Sequence, residues 1–301
     1  MKRVTLTING LTRQVVTDND KVLLDLLRKD LLLTGAKQSC DRKGQCGACM
    51  VIIDNKTALS CLTKVADLDG ANIITIEGLG TPANPHFIQQ AFVLSGAIQC
   101  GFCTPGMIMA TKALLDTNPN PAPEEIRKAL RRNLCRCTGY VKIIEAVQLA
   151  AQFLRGELTP EDVAPGPDAP AMGVSHPRRS SLAKACGTAP FTADVHMPDA
   201  LELAALRSTV PHALIKRLDT TKAASMPGVV GVVTATDIKG TNILKYLEAD
   251  RPVLCGAKVH YIGDPICIVA ATTKAQAEAA LAAIDLELEA LPILNDPYQA
   301  M

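Results

Sequence analysis

Eight cysteines carry the chemistry open to this sequence. They form two sets of four: Cys40, Cys46, Cys49 and Cys61, then Cys100, Cys103, Cys135 and Cys137. The first set is spaced C-x5-C-x2-C-x11-C. Its first gap is one residue longer than in the plant-type C-x4-C-x2-C ligand run of a [2Fe–2S] cluster, which a distant fourth cysteine completes. Four thiolates around two irons and two sulfides carry net negative charge. They need backbone N–H donors aimed at sulfur and a loop able to turn around the cluster. Gly44 and Gly47 are expected to supply positive φ there, and Arg42 and Lys43 add positive charge. The second set pairs C-x2-C with C-x-C at predicted helix boundaries. Cys103 precedes a helix start at Thr104–Pro105, and Cys137 precedes Thr138–Gly139. A helix N-terminus favours thiolate over thiol.

Other uses of sulfur weigh against this one. Two zinc sites of four cysteines each are an alternative, although C-x-C and a Gly-rich loop are less usual for zinc. A thioredoxin-like C-x-x-C at 46–49 or 100–103 would have to follow a strand of a βαβ unit, and neither does. A secreted disulfide scaffold would need an export signal. Met1 to Gly10 alternates polar and apolar residues and has no continuous apolar stretch, and Arg178–Arg179 is internal. No run approaches about 18 apolar residues, so no membrane span is expected. The expected compartment is the reducing cytoplasm, where clustered cysteines bind metal more often than each other. Cys186, Cys255 and Cys267 sit singly among apolar or small residues and read as core. The five histidines, at 86, 176, 196, 212 and 260, have no i,i+4 pairing and receive no role.

The chain of 301 residues has room for about two domains. A formal net charge of +1 argues against a nucleic-acid arm or a basic membrane surface, and the absence of Trp argues against base-stacking platforms. Residues 2–9 and 12–17 read as strands around an Asn9–Gly10 turn, followed by a helical apolar stripe from Val22 to Leu31. Strands at 50–53, 57–61 and 73–76 complete a small α+β unit. Helical patterns near 84–95, 104–117, 123–133 and 140–155 predict a compact four-helix bundle. Residues 157–183 are Pro-rich and read as an extended linker. From 184 to 301 the pattern is α/β, with strands at 201–206, 229–234 and 266–271 and a helix at 274–284.

Three motifs make the sequence recognisable. Gln45-Cys46-Gly47-Ala48-Cys49, Gln99-Cys100-Gly101-Phe102-Cys103-Thr104-Pro105-Gly106 and Cys135-Arg136-Cys137-Thr138-Gly139-Tyr140 closely resemble the iron–sulfur part of the xanthine oxidase/aldehyde oxidoreductase family of molybdenum hydroxylases. The resemblance runs from residue 1 to about 155. It continues more loosely through Pro177–Lys184, Gly187, Ala193–Asp194, Met226–Val229, Arg251–Leu254 and Tyr261–Pro265. It implies an α+β multidomain chain: a β-grasp [2Fe–2S] ferredoxin domain at 1–78, a helical-bundle [2Fe–2S] domain at 79–156, the linker, then an α/β hammerhead domain at 184–301. The family's flavin domain would lie where only the linker stands, so the resemblance is to the flavin-free aldehyde oxidoreductase type, with no FAD.

By the same resemblance the eight cysteines are ligands of two [2Fe–2S] clusters. Gln99 and Cys137 match residues close to the molybdopterin-type cofactor of the complete enzyme, and the β-grasp cluster lies nearer the surface. The function implied is electron relay in oxidation of an aldehyde to a carboxylic acid. The partners implied are a molybdenum-binding domain or subunit, an external electron acceptor and the aldehyde substrate; a homodimer is an open arrangement. No catalytic residue is expected among these 301 residues, because the family's large molybdenum domains would follow Met301. The chain alone is expected to be inactive. A self-sufficient electron-transfer protein or subunit is the alternative, for which a hammerhead domain has no obvious purpose.

Overall fold

The computed structural model describes every residue except His196, Tyr246 and Leu247, together with the side chain of Ala300. His196, one of the five unassigned histidines, therefore lies outside the described residues. Two compact units are present, Met1–Val195 and His196–Met301.

The first unit starts with alternation. In β1 (Lys2–Ile8), Val4, Leu6 and Ile8 are buried and their neighbours are not, as a period of two requires. Asn9 and Gly10, at φ 50° and 80°, turn the chain tightly into β2 (Leu11–Thr17). The predicted helix at 22–31 is short and irregular. Helix α1 (Leu23–Asp25) widens into a π turn over Leu26–Asp30, where Leu31 N–H reaches back five residues to the Leu26 carbonyl. It still buries Leu23, Leu24, Leu26 and Leu27. Strands β3 (Met50–Ile53), β4 (Lys56–Leu59) and β5 (Asn72–Ile74) complete a five-stranded sheet in the order β2-β1-β5-β3-β4, with β1 and β5 parallel.

Four helices follow: α2 (Phe87–Leu94), α3 (Thr104–Leu115), α4 (Pro123–Leu130) and α5 (Val141–Leu154). They pack on one another, and α3 also packs on β3, so the sheet and the helices share one core. His86 caps α2 by accepting the Ile88 N–H on Nδ1. Burial, then the nearby Lys112 charge, holds its pKa down to about 4, which keeps the accepting nitrogen free. The residue capping α3 is Cys103, and Thr104 is already helical. The Pro-rich stretch is not extended throughout: it contains one short turn, α6 (Pro160–Val163), and its last residues begin α7 (Ser181–Ala185).

The second unit has two three-stranded sheets. Its strands and α-helices in order are β6 (Glu202–Arg207), β7 (Ala213–Asp219), α8 (Thr221–Ala224), β8 (Val229–Val233), β9 (Lys258–Val259), β10 (Pro265–Ala271), α9 (Lys274–Ala282), β11 (Asp285–Ala290) and α10 (Pro297–Ala300). One sheet runs β6-β10-β8 and the other β11-β7-β9. Strand β10, buried at Ile266, Cys267, Val269 and Ala271, supplies both small cores. No helix among the described residues is long and apolar enough to cross a membrane.

Candidate metal centres

The first quartet is built by a loop and a hairpin. Cys40, Cys46 and Cys49 lie between the first helix and β3, and Cys61 follows β4. Gly44 and Gly47 take φ of +69° and +66°, as expected. Asp41 and Arg42 also take positive φ, at 49° and 60°, and this is where the longer first gap turns. The four thiols interact as two pairs, Cys40 with Cys46 and Cys49 with Cys61, and Cys40 also acts on Cys61. At Cys40 burial opposes ionisation. Backbone N–H groups of Cys46, Gln45 and Lys43 aimed at its sulfur outweigh that and bring it down to about 7. At Cys61 burial, then the Cys49 thiol, pushes the pKa up to about 12.

The second quartet pairs in the same way, Cys103 with Cys135 and Cys100 with Cys137. Cys135 is held below the usual thiol range. Burial opposes this, but the Thr138 hydroxyl donates to its sulfur at 3.1 Å and the Cys137 and Thr138 N–H groups add to it. Cys103 behaves against expectation. Its place at the start of α3 favours thiolate, yet burial and the neighbouring Cys135 and Cys100 push its pKa up. Cys137 is also raised, by the Cys100 thiol first. In both quartets the raised thiols stand beside neighbouring sulfurs: Cys61 in the first, Cys103 and Cys137 in the second.

Spacing separates one metal ion from two. Four cysteine sulfurs on one tetrahedral zinc lie about 3.8 Å apart. Among the described residues neither quartet brings three sulfurs within 4.8 Å of one another. Two pairs, each backed by N–H donors, suit two irons with two cysteines apiece.

The quartets are stitched together. Leu134 N–H donates to the Cys46 carbonyl at 2.9 Å, and Asn133 Nδ2 donates to the Gly47 carbonyl at 3.1 Å. A member of the first quartet is thus one hydrogen bond from the residue before Cys135. The Tyr140 hydroxyl holds the same segment, accepting Cys135 N–H at 2.9 Å and donating to the Asn133 carbonyl at 3.1 Å. Tyr140 lies in a quoted motif, but nothing in its spacing announced this role. Gly47 permits the close approach: a Cβ there would overlap the Arg132 carbonyl oxygen. Gly47→Ala is expected to destabilise the first unit by about 3 kcal/mol or more, from left-handed strain plus overpacking. An unchanged urea midpoint would show that the loop has room this geometry denies it.

Exposure differs between the quartets. Cys46, Cys49 and Cys61 are buried and Cys40 is half-buried, whereas Cys100 and Cys137 are exposed. Within this chain the second quartet is therefore nearer solvent at Cys100 and Cys137. Gln99 is exposed beside it. Its carbonyl accepts from Arg178 Nη1 at 3.1 Å and Lys184 Nζ at 3.0 Å. Gly101 leaves room for the Lys184 stem, which a Cβ would strike. Cys186, Cys255 and Cys267 are buried outside both quartets.

Three family models match the chain in order. Residues 6–71 match a 2Fe-2S iron-sulfur cluster binding domain and residues 75–148 a [2Fe-2S] binding domain. Residues 186–292 match the a/b hammerhead domain of aldehyde oxidase and xanthine dehydrogenase. The chain is thus a β-grasp iron–sulfur domain, a helical iron–sulfur domain and a hammerhead domain. The aldehyde oxidoreductase of Megalodesulfovibrio gigas is 43 % identical, across 95 % of this chain and 33 % of that protein. The structure of the aldehyde oxidoreductase from Desulfovibrio desulfuricans has a TM-score of 0.91 at 40 % identity, covering 100 % of this chain and 35 % of that one. The nicotinate dehydrogenase small FeS subunit of Eubacterium barkeri is 48 % identical over 50 % of this chain and 94 % of that subunit. The chain belongs to the xanthine oxidase/aldehyde oxidoreductase family of molybdenum hydroxylases, as an N-terminal portion of the aldehyde oxidoreductase type. It spans about a third of the length of the aldehyde oxidoreductases it matches.

Proposed function

We propose that the chain is the electron-relay portion of a flavin-free, molybdenum-dependent aldehyde oxidoreductase. The observation that carries this is the division of eight thiols into two quartets, each made of two pairs with N–H donors aimed at sulfur. In this reading Cys40, Cys46, Cys49 and Cys61 hold one [2Fe–2S] cluster, and Cys100, Cys103, Cys135 and Cys137 hold the other. When bound, each cluster supplies one-electron redox chemistry. The chain's residues do the rest. Backbone N–H groups at 43, 45, 46, 137 and 138 offset thiolate charge at Cys40 and Cys135. The Leu134-to-Cys46 hydrogen bond holds the two sites side by side.

The exposed face at Gln99, Cys100 and Cys137 is where a molybdopterin-type cofactor would approach. Arg178 and Lys184 fix the Gln99 backbone there, which leaves its neutral amide to offer two donors and an acceptor. The more buried first quartet meets solvent along the 41–45 loop, and that edge suits an external electron acceptor. The molybdenum-binding part and the aldehyde site belong to protein outside these 301 residues.

Iron analysis tests the reading. The loaded chain is expected to hold about four irons and to give two distinguishable paramagnetic signals on reduction. A colourless protein containing zinc and no iron would end it. A stand-alone electron-transfer subunit has one point in its favour, since the E. barkeri small FeS subunit matches half of this chain on its own. Aldehyde oxidation that requires this chain, measured with the molybdenum portion present, would decide between the two.

A further inference from the structure

Cys255, His260 and Asp264 lie in the second unit, far along the chain from the quartets. Cys255 precedes β9, His260 follows it, and Asp264 precedes β10. The Cys255 N–H donates to the Pro265 carbonyl at 2.8 Å and so holds the first ligand beside the third. One side-chain donor atom from each of the three residues lies within 4.8 Å of the other two, the only such set of three among the described residues. We propose that these three residues bind one divalent cation of the zinc class.

Asp264 is the reason to expect a ligand. It is fully buried, and its Oδ1 has no partner in hydrogen-bond geometry, although the Cys255 thiol and the Tyr261 hydroxyl also face the carboxylate. An orphaned buried carboxylate oxygen is costly unless something charged or polar meets it. Its other oxygen is already oriented, because the His260 backbone N–H donates to Oδ2 at 2.9 Å. The His260 ring does not supply the missing partner. Its Nδ1 stands 3.3 Å from Oδ2, longer than the 2.7–2.9 Å of a charge-assisted hydrogen bond. A cation seated among thiol, imidazole and carboxylate gives Oδ1 the partner it lacks.

The donor set selects the metal. Sulfur, nitrogen and oxygen together suit zinc, whereas magnesium and calcium take oxygen alone. Cys255 is buried in the small core with Ala213, Val259 and Ile266, which fixes its position. The His260 side chain is 44 % exposed, so an ion can reach the site from solvent. Three protein ligands leave a fourth position for water.

The test uses the full chain with both clusters loaded, so that no cluster cysteine competes for the added metal. Zinc chloride is added at one equivalent. Diffraction at the zinc absorption edge is expected to show one peak among the three side chains. Equilibrium dialysis should give about one bound zinc per chain. His260→Ala removes an exposed ligand without disturbing the core. Its affinity for zinc should fall by at least the about 10–100-fold that loss of a supporting residue costs, with iron content unchanged. Asp264→Asn should lose zinc likewise. No peak at the site, or equal zinc uptake by the wild type and His260→Ala, would overturn the proposal.

Discussion

Asp194→Asn is expected to destabilise the first unit by about 3–5 kcal/mol, the cost of stranding buried charge. The Asp194 carboxylate meets Arg28 Nη2 at 2.6 Å and Lys37 Nζ at 2.5 Å. The Asp194 side chain is 5 % exposed and that of Lys37 2 %, so solvent does little to screen the pair. The ring of Phe191 covers the ammonium at 4.8 Å, and the Phe191 N–H donates back to Asp194. Residues 191–194 are thereby fastened to the loop that leads to Cys40. Asparagine keeps the shape and removes the charge, which leaves Lys37 buried beside Arg28. At roughly 2–4 °C per kcal/mol for a unit this size, melting should fall by about 10 °C. Adding Lys37→Met should recover part of the loss, since it removes the stranded ammonium.

Acid should act in the same direction. Burial raises the Asp194 pKa, but Lys37 and Arg28 outweigh it, and the folded value lies below the ordinary 3.8. A carboxyl shifted down contributes stability that is present above pH 3.8 and is lost as pH falls through the folded value. The variant should therefore lose less stability than wild type between pH 5 and the acid limit. Parallel acid curves for the two proteins would mean that the carboxylate is not ionised in the fold.

Local signals made the quartets legible, and distance hid the clamp. The cysteine spacing, the Asn9–Gly10 turn and the four helices are written in neighbouring residues, and each appears within a few residues of its expected place. Arg28, Lys37 and Asp194 are as much as 166 residues apart, and no local pattern joins them. The thiol acidities are not legible in the sequence for a related reason. Position at a helix start is readable from sequence, but at Cys103 burial and two neighbouring sulfurs dominate, and both depend on the fold. His260 carries no local mark in the sequence, because no second histidine stands four residues away. The residue at that spacing is Asp264, and Cys255 reaches the site from before β9. Strands β7 and β11, with their mixed exposed pattern, gave no signal of the kind that marked β8 and β10.

Cys135→Ser is expected to remove one cluster and leave the other. The variant should hold about two irons per chain in place of about four, and one of the two reduced signals should vanish. Cys135 pairs with Cys103, and its sulfur receives the Thr138 hydroxyl and two backbone N–H groups. Serine presents an oxygen that stays protonated near neutral pH and binds iron poorly. The remaining cysteines of that quartet include Cys100 and Cys137, both exposed, so a weakly held cluster is open to solvent. The first quartet should survive, because its link to this segment is made by the backbone of Leu134 and by Asn133. Cys186→Ser provides the control: it is also buried, belongs to neither quartet, and should keep all four irons. Full iron and both signals in Cys135→Ser would remove Cys135 from the ligand set. Loss of all four irons would instead mean that the two sites assemble as one unit, with the Leu134-to-Cys46 hydrogen bond as the contact through which the damage spreads.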